Sequence, residues 1–297
     1  MCPHHTGSGK TDFKYLKDNV GFMKPEMVKR ILERFPEATH VALAGVGEPL
    51  LNPYFNEIID VISKQKKAIN IVTNGSLLND SKAKYLLRNP YVNQISVSLN
   101  APDSKMFSEV CNVEPEKFDL VISNIRNLVK LRDELKSRTK IIISAVFSEE
   151  YLPFAESFLN TVDALGADKI DLHNYIDFEI EDESNSWHKI QNSQKNKQII
   201  NQLKNQAKRL RTETSIPKIF SESRFKNKCA WFFKNLSFDA QGNMGSCGRV
   251  INPNKLYGNI NDKNDIWNNE YMKTMRAKFL NNELEDCCKE CTENYED

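Results

Sequence analysis

Between about residues 25 and 175, apolar positions follow two alternating patterns, one with the spacing of a helix and one with the short runs of a buried strand. Lys24-Pro25-Glu26 predicts a helix start, because a proline in the first turn lacks only an N–H that has no partner there. Met27, Val28, Ile31 and Leu32 form the apolar stripe that follows. His40 to Ala44 then reads as a strand ending in Gly45-Val46-Gly47. A helix presenting Phe55, Ile58, Ile59 and Ile62 leads into a second strand, Ile69 to Thr73, which Asn74-Gly75 stops. Further strands are predicted at Gln94 to Leu99, Lys140 to Val146 and Lys169 to Leu172. The helices between them carry Phe118, Val121, Ile122, Ile125 and Val129, then Phe154, Phe158, Leu159 and Val162. This alternation predicts an α/β fold with a parallel sheet, and its repetition points to an open or closed βα barrel. In such folds chemistry gathers at the carboxyl ends of the strands. Gly45 to Pro49, Thr73-Asn74-Gly75, Ser98 to Asn100 and His173 all fall there.

The pattern then changes. Asp177 to Ser184 is acidic, and Gln191 to Arg211 is rich in Lys, Asn and Gln. The latter predicts an exposed helix, with Ile199, Ile200 and Leu203 on one side, bridging two domains. From Cys229 onward a cysteine-bearing module has a hairpin-like centre, Leu236 to Cys247, turning at Gln241-Gly242-Asn243.

Composition narrows the function classes. Lys+Arg total 41 against 40 for Asp+Glu, so a net charge of +1 gives no electrostatic reason to expect nucleic acid. No apolar run approaches the ~20 residues that cross a bilayer, and Met1-Cys2-Pro3-His4-His5 does not read as a signal peptide. The expectation is a cytoplasmic protein without membrane or nucleic-acid partners. Its 7 cysteines are an odd number, which points away from a disulfide framework and toward metal or catalysis. Cys111 reads as a small buried hydrophobe. Gly7-Ser8-Gly9-Lys10-Thr11 is not a phosphate loop, because His4 stands where that loop needs its first glycine.

Cys229 and Cys247 flank the hairpin, and Cys288-Lys289-Glu290-Cys291 forms a knuckle. Four thiolates so arranged suit a tetrahedral zinc or a cubane iron–sulfur cluster, and spacing alone favours structural zinc. Cys287 could stand in for Cys288, although Cys288 gives the two-residue spacer.

The order of motifs carries more. Met1-Cys2-Pro3, then Gly45-Val46-Gly47-Glu48-Pro49-Leu50 at one strand end, then Thr73-Asn74-Gly75 at the next, resembles the radical S-adenosylmethionine (SAM) superfamily. There a Cys-x-x-x-Cys-x-x-Cys loop holds a [4Fe–4S] cluster, and a Gly-Gly-Glu-Pro stretch approaches the SAM amino group. The resemblance implies that Cys2 is the last of three cluster ligands. It also implies that the chain is truncated within that motif, with the first strand of a partial (β/α)6 TIM-like barrel missing. As written, the chain is then expected to be deficient in SAM cleavage. Three thiolates leave one iron open for SAM, whose reductive cleavage yields a 5′-deoxyadenosyl radical. The implied SAM contacts are Gly45, Gly47, Glu48, Pro49, Asn74, Ser98 and Asn100, with Val46 departing from the family glycine. For Ser98 and Asn100 a plain strand end before Ala101-Pro102-Asp103 is an equal alternative.

Gly242, Cys247, Tyr257-Gly258-Asn259-Ile260, Ile266-Trp267-Asn268, Arg276 and Cys288-x-x-Cys291 occur in an order that resembles the SPASM/Twitch extension of those enzymes. The resemblance implies a second, auxiliary [4Fe–4S] cluster on Cys229, Cys247, Cys288 and Cys291. It divides the chain into a core at residues 1–180, a helical linker at 181–225 and an auxiliary domain at 226–297. The expected activity is hydrogen abstraction from a small-molecule or peptide substrate, by dehydrogenation or peptide modification. An oxidoreductase of this kind takes electrons from a donor such as flavodoxin or ferredoxin. His173 is the candidate catalytic side chain, although a histidine satisfied in the barrel mouth fits as well. The competing expectation is an inactive zinc- or iron–sulfur-binding module.

Overall fold

The computed structural model describes residues 21–45, 47–175, 190–219, 229–245, 247, 257–283 and 288. Helix α1, Pro25–Arg34, opens with its proline in the first turn as the sequence predicts. Strand β1, His40–Leu43, follows, and a short 3-10 turn, Pro49–Leu51, leads to helix α2, Phe55–Lys64. The alternation continues with β2 (Ala68–Thr73), α3 (Asp80–Arg88) and β3 (Val92–Ser98). Two helices, α4 (Ser104–Cys111) and α5 (Glu116–Glu134), precede β4 (Lys140–Phe147). Then come α6 (Ala155–Asp163), β5 (Lys169–Asn174), α7 (Gln194–Ala207) and β6 (Glu213–Ser215).

All six strands join one sheet in chain order, and every neighbouring pair is parallel. Parallel neighbours need a crossover, and the intervening helices supply it. This is the α/β, TIM-like arrangement that the alternation predicts. Strand β6 and helix α7 differ from the expectation of an exposed helical linker. β6 adds to the sheet edge beside β5, and Ile200 and Leu203 of α7 are buried in the main core.

Residues paired in a parallel register project to the same side. One side of the sheet carries Ile69, Ile71, Ile95, Val97, Leu99, Ile141, Ile143, Phe147 and Ile170, each with no exposed surface. The helices cover this side, with Phe147 meeting Phe158 of α6 edge-on at 5.8 Å. The opposite side carries Asn70, Val72, Ser96, Ser98, Ser144, Val146, Asp171, His173 and Ser215. Val72 is 38% exposed although it sits mid-sheet, so among the described residues this second face is partly open and largely polar.

The C-terminal segment packs around an antiparallel pair, β7 (Ser237–Phe238) with β8 (Met244–Gly245). Asp239 shapes the turn by accepting from the Gln241 and Asn243 backbones at 2.9 and 2.8 Å. Gly242 takes φ +81°, and a Cβ there would lie 2.5 Å from Ile260 and 3.0 Å from the Met27 sulfur. Two further helices, α8 (Trp231–Lys234) and α9 (Glu270–Leu280), complete the described part.

Helix α1 belongs to both cores. Val28 and Leu32 enter the core beneath the sheet, whereas Met27, Ile31 and Phe35 pack on Met244, Tyr257, Ile260, Ile266 and Met272. Arg34 closes this contact by donating to the carbonyls of Ile260 (2.7 Å), Asp262 (2.5 Å) and Asn264, while Arg30 reaches Asn261. The stripe read from the sequence is therefore two stripes, one for each core.

Candidate functional site at the strand ends

The carboxyl ends of β1 and β2 are tied by one carboxylate. Glu48 Oε1 accepts from the Thr73 hydroxyl at 2.7 Å and from the Leu50 backbone at 3.1 Å, and Oε2 accepts from the Asn74 backbone at 2.7 Å. Thr73 is 2% exposed, and its hydroxyl also accepts from the Gly75 backbone at 3.0 Å. Gly75 must be glycine: its φ is +78°, and a Cβ would stand 2.7 Å from Val97. Asn124 of α5 holds the Gly75 carbonyl at 2.8 Å. Asn74 itself accepts from the Ser76 backbone and hydroxyl, at 2.9 and 2.7 Å.

The loop that precedes this clamp carries two glycines. Gly45 and Gly47 are exposed, and among the described residues nothing lies within 4 Å of a Cβ built on Gly47. Val46 lies outside the described residues.

At the end of β3, Asn100 adopts the left-handed conformation (φ +51°) and accepts from the Val146 backbone at 3.0 Å, joining β3 to β4. Ser98 pairs in register with Ser144, Ser144 with Asp171, and Asp171 with Ser215. Four strands thus present one continuous polar row. The Ser144 hydroxyl lies 3.3 Å from that of Ser96 and 3.5 Å from that of Ser98.

His173 stands two residues beyond Asp171 on the same face and is 48% exposed. Its Nε2 lies 3.3 Å from Asp171 Oδ2, and Lys169 Nζ lies 3.6 Å from Oδ1. The hydrogen bond from His173 is the main reason the Asp171 carboxyl is held well below the usual carboxylate range. Partial burial opposes it, while the charge of His173, a hydrogen bond from Ser215 and the charge of Lys169 reinforce it. The sequence reading singled out His173 but neither Asp171 nor Ser215. The strand period alone could have placed Asp171 on the same face as His173.

The cysteines lie elsewhere. Cys229 and Cys288 both border the small apolar cluster of Phe232, Met275 and Phe279. Cys247 follows β8 by two residues and is half-buried like the others. Cys111 packs against the main core, as a small hydrophobe does. Among the described residues no three His, Cys, Asp or Glu side chains converge as a metal-binding group. Cys2 and Cys291, both expected as cluster ligands, and Cys287 lie outside the described residues. The two thiols that share one apolar border have the chemistry that soft iron or zinc prefers. Arg276 lies alongside: it donates to the Phe232 carbonyl at 2.9 Å and stacks over Trp267 at 4.3 Å.

No described helix is long and apolar enough to cross a membrane.

Comparison with known proteins agrees with this layout. The radical SAM superfamily model matches residues 2–150, and an iron–sulfur cluster-binding domain, SPASM, matches residues 229–292. Streptococcus suis SuiB bound to precursor peptide SuiA has the same fold, with a TM-score of 0.68, 16% identity, and coverage of 87% of this chain and 61% of SuiB. The anSMEcpe structure with bound AdoMet superposes with a TM-score of 0.66 and 16% identity, over 93% of this chain and 77% of that one. A tungsten-containing aldehyde ferredoxin oxidoreductase cofactor-modifying protein of Pyrococcus furiosus is 34% identical over 76 residues, 25% of this chain. The S-adenosyl-L-methionine-dependent tRNA 4-demethylwyosine synthase of Pyrococcus horikoshii is 26% identical over 127 residues, 42% of this chain. The matches span only 21% and 35% of those two relatives.

Proposed function

Because the chain belongs to the radical SAM superfamily and carries a SPASM iron–sulfur cluster-binding domain, its cofactors being SAM and [4Fe–4S] clusters, we propose that it abstracts hydrogen from a C–H bond of a peptide substrate. The observation that carries this reading is the partly open, polar face of the sheet, bounded at the strand ends by the Glu48–Thr73–Asn74 clamp. SAM, when bound to the reduced cluster, supplies the 5′-deoxyadenosyl radical. The chain's own residues position the reactants. The backbone from Gly45 through Gly47 to Pro49, with Glu48 holding Leu50 and Asn74, receives the amino group of SAM. Ser98 and Asn100 border its ribose and carboxylate. Cys2 contributes to the SAM-binding cluster.

Cys229, Cys247, Cys288 and Cys291 hold the auxiliary cluster, and the outcome is a dehydrogenation or a modification of the peptide. A peptide is preferred over a small molecule because SuiB, whose fold this chain shares, is known with a precursor peptide bound. A flavodoxin or ferredoxin supplies the electron. The core comprises residues 1–180 together with α7 and β6, and the auxiliary domain begins near Cys229.

Metal analysis of protein isolated without oxygen tests the assignment. Iron with equimolar sulfide, reduced by about four irons per chain in Cys288→Ala, is expected. One zinc per chain with no sulfide, or unchanged iron in that variant, contradicts it.

A further inference from the structure

Two nitrogens of the Arg276 guanidinium have acceptors and the third does not. Nε donates to the Phe232 carbonyl at 2.9 Å and Nη1 to the Asn268 side chain at 3.1 Å, while the group stacks over Trp267 at 4.3 Å. Nη2 is buried and, among the described residues, meets no acceptor. A buried, charged donor left open is costly, and native proteins keep one where a further ion or group accepts from it. Asp265, the carboxylate whose charge acts on Arg276, is already engaged. It accepts from the Trp267 and Asn268 backbones at 2.9 and 3.0 Å and from the Asn268 side chain at 2.9 Å.

The place of Arg276 in the fold supplies the chemistry of the acceptor. It follows Met275 in α9 and is bonded to Phe232, so it is anchored twice to the apolar cluster of Phe232, Met275 and Phe279. Cys229 and Cys288 border that same cluster. A cubane held by four thiolates is negatively charged and presents sulfur acceptors, which suits a cationic donor that lacks a partner. The residues present therefore fit an iron–sulfur group.

We propose that Arg276 is a positioning residue of the auxiliary iron–sulfur site, with Nη2 donating a hydrogen bond to a sulfur of the cluster that Cys229 and Cys288 help to hold. This inference rests on the functional reading above. The Nε bond ties α8, which follows Cys229 closely in the chain, to α9. The charge and the N–H together favour the reduced, more negative form of the cluster and raise its potential.

The test uses the Cys2→Ala protein, in which the functional reading leaves the auxiliary site to be loaded, reconstituted with iron and sulfide without oxygen. With nitrogen-15 in arginine alone, electron spin-echo spectroscopy of the dithionite-reduced cluster is expected to show a nitrogen-15 coupling. Adding Arg276→Lys or Arg276→Gln is expected to remove it. Redox titration should give a potential below that of the parent in both variants, and lower in Arg276→Gln, which loses the charge as well as the bond. A loaded parent without the coupling, whether or not either variant loads, overturns this inference alone. So does a coupling and a potential unchanged in both variants. A parent that binds zinc and takes up no sulfide contradicts the functional reading and this inference together.

Discussion

Replacing Glu48 by glutamine isolates what the carboxylate at the strand ends contributes. Glutamine keeps one oxygen, which can still accept from Thr73 and Leu50, at 2.7 and 3.1 Å in the wild type. Its amide nitrogen then occupies the place of Oε2 and sets a donor against the Asn74 backbone N–H, where the wild-type contact is 2.7 Å. A hydrogen bond to a charged acceptor contributes about 1.5–3 kcal/mol. Asn74 is exposed, so water recovers part of the loss, and a net cost of about 2 kcal/mol is expected. The assay is urea unfolding of cofactor-free protein, so that no bound ligand contributes. Glu37→Gln, on an exposed side chain away from the clamp, is the control and should change stability by less than ~0.5 kcal/mol. Thr73→Val completes a double-mutant cycle with Glu48→Gln, with an expected coupling of about 1 kcal/mol. Stability equal to wild type in Glu48→Gln, or no coupling in the cycle, refutes the view that this carboxylate fastens β1 to β2.

Three further outcomes follow from the structure. Asn100→Ala, which loses the bond to Val146 and strains a residue at φ +51°, should destabilise by about 2 kcal/mol, whereas Asn100→Gly loses only the bond and should cost roughly half as much; the reverse order in thermal unfolding counts against the strain. Arg34→Met, which removes donors to three carbonyls of the C-terminal segment, should speed amide hydrogen exchange around residues 257–266 while leaving β2 to β4 protected; uniform protection throughout contradicts the clasp. Because folding lowers the Asp171 pKa, its contribution is fully present above the ordinary value near ~3.9 and is lost as pH falls below it. Wild type should therefore lose more stability than Asp171→Asn between about pH 5 and pH 2 in chemical-denaturation midpoints, and parallel curves refute the linkage.

Most of the sheet was legible because its signals are local. Strands β1 to β5 are apolar runs with turn residues behind them, and Pro25 marks a helix start without help from tertiary structure. Strand β6 was not legible, since Glu213-Thr214-Ser215 has no apolar pattern and becomes a strand only because β5 offers an unpaired edge. The polar row was half legible. Ser98 and His173 announce themselves at strand ends, but the alignment of Ser144, Asp171 and Ser215 depends on register between strands far apart in sequence. Glu48 stands out in the sequence at a strand end, but its bonds to Thr73 and Asn74 depend on β2 lying beside β1, which no local pattern announces. The double duty of α1 was present in Met27, Val28, Ile31 and Leu32, which cover more of the helix than one core needs, yet no local rule says that a second core comes from residues 236–272.

The central claim is that the polar face and the clamp at its rim present SAM to a reduced iron–sulfur cluster. Chromatography of the native, cluster-loaded gene product after incubation with SAM and dithionite under anaerobic conditions tests it most directly. The account predicts 5′-deoxyadenosine and methionine in equal amounts, with formation reduced in Glu48→Gln. SAM recovered intact from protein that holds its full iron and sulfide contradicts it.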